Sequence, residues 1–291
     1  MTSAESETDL PTCHLHPDRQ TGRRCSRCGR PACPECLHAA SVGSHCTECV
    51  RLTRPPVAER VRTRVALAGP VVTYAILALN VAMFALTVAW AAVDGGAQQA
   101  QRALGGEITI AHVHLALFRS LVAEGEWYRV FSSSFMHFGV IHLAMNMFGL
   151  FILGRLLEPA LGRMRFASLY LASLVGGTLG ALWISPDALT AGASGALYGL
   201  LGGAFVIMKA RGVDPFSTGL GSWMVVALVW TFVAPGVSIG GHLGGLVAGA
   251  VTGYLMVPRH RQLSASQSAS IGLAMAGVLF VACLLVSTQY G

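Results

Sequence analysis

A serine flanked by glycines opens one apolar stretch of this chain, and a histidine flanked by glycines opens another. The first reads Gly192-Ala-Ser194-Gly195-Ala-Leu-Tyr198-Gly199; the second reads Gly241-His242-Leu-Gly-Gly245. A serine hydroxyl becomes a nucleophile when a neighbouring base takes its proton, and a neutral imidazole is suited to that task. Acyl transfer also needs donors for the developing oxyanion. His142 and Asn146 are four residues apart, share one helix face and could supply them. The Ser194 backbone N–H could add another, because the first N–H groups of a helix lack partners and carry partial positive charge. No Asp or Glu falls inside the apolar stretches that hold these residues. Paired aspartates are therefore excluded, a His-Glu-x-x-His metal motif is missing, and a nucleophilic site here is a dyad without a carboxylate.

A second reactive set lies in the first 50 residues, which hold seven of the eight cysteines. They fall as Cys13-x-x-His16, Cys25-x-x-Cys28, Cys33-x-x-Cys36 and Cys46-x-x-Cys49. Four such pairs suit two tetrahedral zinc sites, each with four thiolate or imidazole ligands. A disulfide scaffold is the competing reading, but four knuckles at an end expected to face a reducing cytoplasm favour metal. The segment resembles B-box-like fingers, which favours joining the first pair with the third and the second with the fourth. Sequential pairing stays open, and His14, His38 or His45 could replace a ligand. No ligand position is left for water, so two structural Zn²⁺ are expected and none for catalysis. Arg19, Arg23, Arg24, Arg27 and Arg30 read as a solvated basic face; anionic lipid or nucleic acid is the alternative partner.

The elements that must position these groups follow from composition. The chain is 53% hydrophobic and 12% charged, against about 25% charged in soluble domains, and its mean hydropathy is +0.58. The polar residues concentrate at the N-terminus. This gives a zinc-finger domain over 1–50, a basic linker over 51–68, an apolar core over 69–257, and a loop with one more helix over 258–291. Arg51, Arg54, Arg60, Arg62 and Arg64 lie in the linker with Pro55-Pro56, which interrupts any helix there. The first apolar run starts near Val65, too late for a cleaved leader. Spans of roughly 20 residues are predicted at 69–92, 138–157, 166–184, 193–210, 219–235, 240–257 and 269–288. Arg155, Arg163 and Arg165, then Lys209 and Arg211, then Arg259 and Arg261 fall on one side, and the loops at 185–192 and 236–239 have no Lys or Arg. The N-terminus is therefore expected inside the plasma membrane and the C-terminus outside. That bias also accounts for the pI of 9.1 without a nucleic-acid partner. Residues 93–137 read as a long outer loop. Ile110–Val122 is an interfacial candidate in it, Trp127-Tyr128-Arg129 an anchor, and His137 a rim residue bonding the loop. Cys283 reads as a buried small hydrophobe.

Glycine spacing says how the spans meet. Gly195, Gly199 and Gly203 recur every fourth residue, as do Gly241, Gly245, Gly249 and Gly253. Such faces let helix backbones approach closely in a membrane. If these two meet, Ser194 and His242 start neighbouring helices at similar depth. Each residue alone has an ordinary reading: a serine that permits packing, a histidine on a carbonyl, Asn146 as interhelical glue, Tyr198 as core.

The joint pattern resembles the rhomboid family of intramembrane serine proteases over 69–257. The resemblance is carried by His137-Phe-Gly-Val-Ile-His142-Leu-Ala-Met-Asn146, Gly192-Ala-Ser194-Gly195 and His242-Leu-Gly-Gly245-Leu-Val-Ala-Gly249. It implies an all-α polytopic membrane fold: a six-helix rhomboid core plus a seventh C-terminal transmembrane helix, behind the small zinc-binding domain. It implies Ser194 as nucleophile and His242 as general base, with His142, Asn146 and the Ser194 amide as oxyanion hole. Tyr198 would stack under His242, and Gly192, Gly195 and Gly245 would support the site. The fourth span would start below the membrane surface under a wet cavity, and the fifth span with its following loop, Trp230–Ser238, would be the substrate gate. Substrates would be transmembrane segments of other membrane proteins. The family's first loop carries adjacent Trp-Arg; here Tyr128 stands between Trp127 and Arg129. The rival reading is a non-proteolytic rhomboid-fold protein that binds membrane clients while the finger recruits a soluble partner. A transporter is disfavoured by the lack of intramembrane carboxylates and of an inverted repeat.

Overall fold

A computed structural model describes residues 10–53, 69–257 and 263–289, in two units, Met1–Leu67 and Ala68–Gly291. The linker arginines from Arg54 onward, Pro55-Pro56, Arg259 and Arg261 lie outside the described residues.

The N-terminal unit holds two antiparallel hairpins. Strand β1 (Thr12–Cys13) pairs with β2 (His16–Gln20), and β3 (Leu37–Ala39) pairs with β4 (Ser44–Cys46), with His38 opposite His45. Helix α1 (Thr47–Thr53) follows. The buried cluster is Cys13, Cys25, Cys33, Cys36, Cys46, Cys49 and Ala32. Among the described residues only Leu37, half-buried, packs a large apolar side chain against it, so a unit this small needs cross-links or metal to hold its shape.

The second unit is a multi-pass membrane protein. Five of its helices are long and apolar enough to cross a membrane, and two shorter apolar helices accompany them. Helix α2 (Val71–Gly105) outruns the predicted first span: its 35 residues would reach about 50 Å, against the ~30 Å of a hydrocarbon core. The helical dihedrals break at Gly95 and at Gly96, which has φ +69°. The region after the break is built, where the sequence suggested a loop. It holds α3 (Ile110–Leu115), opened by a Thr109/His112 capping box, then α4 (Arg119–Ala123) and α5 (Arg129–Ser132). The single interfacial element predicted over Ile110–Val122 is thus two short helices, separated where Leu117 pairs with Thr190.

Helix α6 (Gly139–Leu161) runs four residues past its predicted end and takes in Glu158 and Pro159. This corrects the expectation that no carboxylate lies within a span. Glu158 is 2% exposed and accepts the N–H groups of Val72 and Thr73 at 2.9 and 2.8 Å and the Thr73 hydroxyl at 2.7 Å. It thereby satisfies donors that the first turn of α2 leaves without partners. The remaining helices are α7 (Arg163–Ile184), α8 (Ser194–Ala210), α9 (Leu220–Val233), α10 (Ile239–Met256) and α11 (Ala265–Thr288). Arg163 and Arg165, expected in a loop, lie in the first turn of α7.

Helices α7, α8 and α10 pack at backbone contact. A Cβ at Gly245 would overlap the Gly195 carbonyl, one at Gly249 the Gly199 carbonyl, and one at Gly253 would sit 2.9 Å from Gly203 Cα. The other face of α10 does the same with α7, where Gly240 and Gly244 meet Gly176 and Gly180. Helix α11 packs along α7 and buries Cys283, whereas α9 touches α8 and α10 through few residues.

Candidate active site

Close approach of α8 and α10 sets the geometry of their first turns. Ser194 is the first residue of α8, and His242 lies in the first turn of α10. Ser194 Oγ is 2.8 Å from His242 Nε2. The imidazole is 6% exposed, while Ser194 is half-buried. Tyr198, one turn after Ser194, stacks on the imidazole with ring centroids 3.9 Å apart and planes 16° apart. His242 Nδ1 is 2.8 Å from Thr231 Oγ1 of α9.

His142 reaches the serine's surroundings from α6. Its Nδ1 accepts the Phe138 N–H at 3.3 Å, which leaves Nε2 as the protonated donor. Gly192 explains the space in front of that nitrogen. It has φ +129°, and a Cβ there would lie 2.8 Å from His142 Nε2 and 3.9 Å from Ser194 Oγ. Any side chain at 192 would fill the notch between the two. Asn146 is buried, and its amide donates to the His142 carbonyl at 3.0 Å. Its second N–H is not used by that bond.

The long first loop anchors the segment that carries Ser194. Leu117 and Thr190 exchange backbone hydrogen bonds at 2.9 Å, and the Gly192 N–H donates to the Ser133 carbonyl at 3.0 Å. Arg129, expected as an interfacial anchor, is 2% exposed. Its guanidinium donates to the Ala116 carbonyl at 2.7 Å and to Glu126 at 2.6 Å. Hydrogen bonds from the Tyr128 hydroxyl and Arg129 hold the Glu126 carboxyl below its usual range. Trp127 stays exposed and meets Phe280 edge-on. His137 is not a rim residue: its ring is fully buried against His142, and neither ring nitrogen has a hydrogen-bond partner. Its carbonyl, not its ring, bonds the loop, through His112 Nε2 at 3.1 Å. Sequence reasoning missed Thr231, Glu158 and the α7 glycines. For Thr231 a signal existed, since it is the only hydroxyl in the last two turns of an otherwise apolar helix.

In the N-terminal unit the ligand atoms of Cys13, His16, Cys33 and Cys36 lie within 4.8 Å of one another, as do those of Cys25, Cys28, Cys46 and Cys49. The pairs thus group first with third and second with fourth. His14 is bonded instead to the Pro31 carbonyl at 2.7 Å, and His38 to Thr47 at 3.2 Å. Each sulfur set is prepared for a cation. Burial pushes the Cys13 thiol up, but the N–H groups of Cys33, Leu15 and His16 outweigh it and bring it down to about 6. Burial likewise opposes Cys25, which the N–H groups of Cys46, Cys28 and Arg27 bring down to about 5. Burial and neighbouring thiols push Cys36 and Cys49 up to about 12. The three thiols of the first group and the four of the second cannot all ionise unless a cation offsets their repulsion. Both groups could hold metal ions.

The sequence profile of the rhomboid domain matches residues 124–259. The chain is 32% identical over 184 residues to rhomboid protease GluP of Bacillus subtilis (strain 168), across 62% of this chain and 34% of that protein. It is 35% identical over 150 residues to RHOMBOID-like protein 5 of Arabidopsis thaliana, across 50% of this chain and 48% of the relative. With the rhomboid homologue YdcA of Bacillus subtilis (strain 168) it shares 30% over 142 residues, across 47% of this chain and 71% of YdcA. The chain spans about a third of the length of the first of these and about half of the second.

Proposed function

The chain belongs to the rhomboid family, and from that premise we propose that it is an intramembrane serine endopeptidase cutting transmembrane segments of other membrane proteins. Ser194 Oγ attacks the scissile carbonyl while His242 Nε2 takes its proton. The oxyanion would face the notch beside Gly192, with His142 Nε2–H at its edge and the Ser194 N–H and Asn146 amide as its further donors. The imidazolium returns its proton to the leaving amine, and an acyl-enzyme remains on Ser194. Water then attacks that ester with His242 again as base, which restores the hydroxyl. Substrate enters past α9 and the loop up to Ser238, where Trp230, Phe232 and Val233 face outward.

The observation that carries this reading is the 2.8 Å contact of Ser194 and His242, made where two glycine faces lock. Two Zn²⁺, one per Cys/His group, hold the N-terminal unit together and take no part in the chemistry. That unit is cytoplasmic, in keeping with the arginine bias, and recruits a soluble partner. A fluorophosphonate probe should label Ser194, and Ser194→Ala should abolish both labelling and cleavage of a model transmembrane substrate in detergent. Cleavage that survives Ser194→Ala refutes the assignment. Client binding by the wild-type chain with no serine adduct favours the non-proteolytic reading.

A further inference from the structure

Helix α9 does more than border the site. Thr231, 1% exposed, reaches the imidazole from α9, with its Oγ1 2.8 Å from Nδ1. Its hydroxyl also lies 2.7 Å from the Tyr198 hydroxyl, the group stacked under the same imidazole. The remaining contact is to the Ala227 carbonyl, one turn back in α9, at 3.0 Å. The Tyr198 hydroxyl donates to that carbonyl too.

These contacts decide where the protons sit. A hydroxyl has one hydrogen to give and two lone pairs to receive. The Tyr198 hydrogen goes to the Ala227 carbonyl, so the Thr231 hydrogen is taken up by the Tyr198 oxygen 2.7 Å away or by the same carbonyl, and not by Nδ1. Thr231 Oγ1 then faces Nδ1 as an acceptor, and a ring nitrogen facing an acceptor carries hydrogen. Nδ1–H leaves Nε2 bare, and Nε2 is the atom 2.8 Å from Ser194 Oγ. In the other tautomer Nε2–H would point at the serine, and no base would be present. We infer that Thr231 is a positioning residue that selects the Nδ1–H tautomer of His242, so that the seating of α9 and the competence of the base are one event. The inference rests on the dyad reading above. Where other sites use a buried carboxylate to hold the tautomer, a neutral hydroxyl does so here, and it sits on a helix with few contacts to the rest of the bundle.

Two measurements on the full-length chain in detergent test this. The first is ¹⁵N NMR of histidine-labelled protein, with His242→Asn to assign the imidazole signals; wild type should show Nδ1 protonated. The second is the rate of Ser194 labelling by a fluorophosphonate, resolved into maximal rate and half-saturation. Thr231→Val keeps the shape and removes the acceptor. It should cut the maximal rate about 10- to 100-fold, a share of the roughly 10²–10⁴ that general-base catalysis contributes, with half-saturation unchanged. Its His242 signals should show both tautomers. Thr231→Ser should restore most of the rate and the single tautomer. A wild-type imidazole protonated at Nε2, or a Thr231→Val chain that labels at the wild-type rate, overturns the inference. Should Thr231→Val not fold, the wild-type spectrum and Thr231→Ser still decide: Nδ1–H in both upholds the inference and Nε2–H in either sinks it. A wild-type chain with Nδ1–H but an unreactive Ser194 would instead refute the protease reading, so the two failures are told apart.

Discussion

Gly245→Ala tests the packing on which the site depends. The added methyl carbon would lie 2.7 Å from Gly195 C and 3.1 Å from its Cα, besides overlapping the carbonyl oxygen. Carbon atoms rest about 3.5–4.0 Å apart. The obstacle is backbone, which cannot swing aside as a side chain can, so α8 and α10 must separate by about 1 Å. Gly195 follows Ser194 directly, and Gly245 lies less than one turn beyond His242. The separation therefore falls on the 2.8 Å hydrogen bond and stretches it to about 4 Å, beyond bonding range. Overpacking of this kind costs about 1–3 kcal/mol. A displacement of ~1 Å at reacting groups costs on the order of 10²-fold in rate. Gly277→Ala in α11 is the matched control, because a methyl there meets nothing within 4 Å. It should leave labelling unchanged and stabilise by about 0.5–1 kcal/mol, the usual gain of Ala over Gly in a helix. The assays are thermal unfolding in detergent and the rate of fluorophosphonate labelling. If Gly245→Ala unfolds and labels like wild type, backbone contact is not what aligns the two side chains.

Two further perturbations address the rest of the molecule. Glu158→Ala should lower stability by about 1–3 kcal/mol, since it strips the carboxyl acceptor from the donors of Val72 and Thr73; Glu158→Gln should cost less. An unchanged unfolding midpoint for Glu158→Ala would show that water or another group caps α2. Metal analysis should find two zinc ions per chain and one in each of Cys33→Ser and Cys28→Ser, because those residues belong to different groups. A chelator should unfold residues 13–49 and spare Ser194 labelling; loss of both ions from either variant, or of labelling on chelation, counts against two independent structural sites.

The sequence carried the centre of this fold better than its edges, for a physical reason. Glycines at every fourth residue have one structural use in an apolar helix, so the faces of α8 and α10 could be paired before any coordinates. Hydropathy locates a span but not its capping turn. Glu158 therefore fell outside the predicted second span although it lies in the same helix. The third partner of the packed trio was missed because α7 carries a single four-residue glycine step, Gly176 to Gly180, too short to read as a face. The loop over 93–137 was opaque because its order comes from tertiary hydrogen bonds: Arg129 onto Ala116, Leu117 onto Thr190, Gly192 onto Ser133. None of these leaves a periodic trace. Arg129 in particular read as an anchor, since an arginine in an outer loop is rarely 2% exposed.

Two parts of the site differ in how firmly they are held, and the difference has a functional meaning. Ser194 and His242 sit on helices locked at backbone contact, where a shift of even an ångström meets carbonyl oxygen or Cα. Their mutual distance is a property of the core. Thr231 comes from α9, which few contacts tie to that core. Movement of α9 would leave the Ser194–His242 distance intact yet withdraw the acceptor from Nδ1 and the hydrogen bonds that Ala227 and Thr231 make with Tyr198. If α9 gates the site as proposed, substrate would enter with the base unpoised, and closing would restore it. The nucleophile would then be least reactive when the site is most open to water and lipid, and most reactive once a bound segment lets α9 reseat.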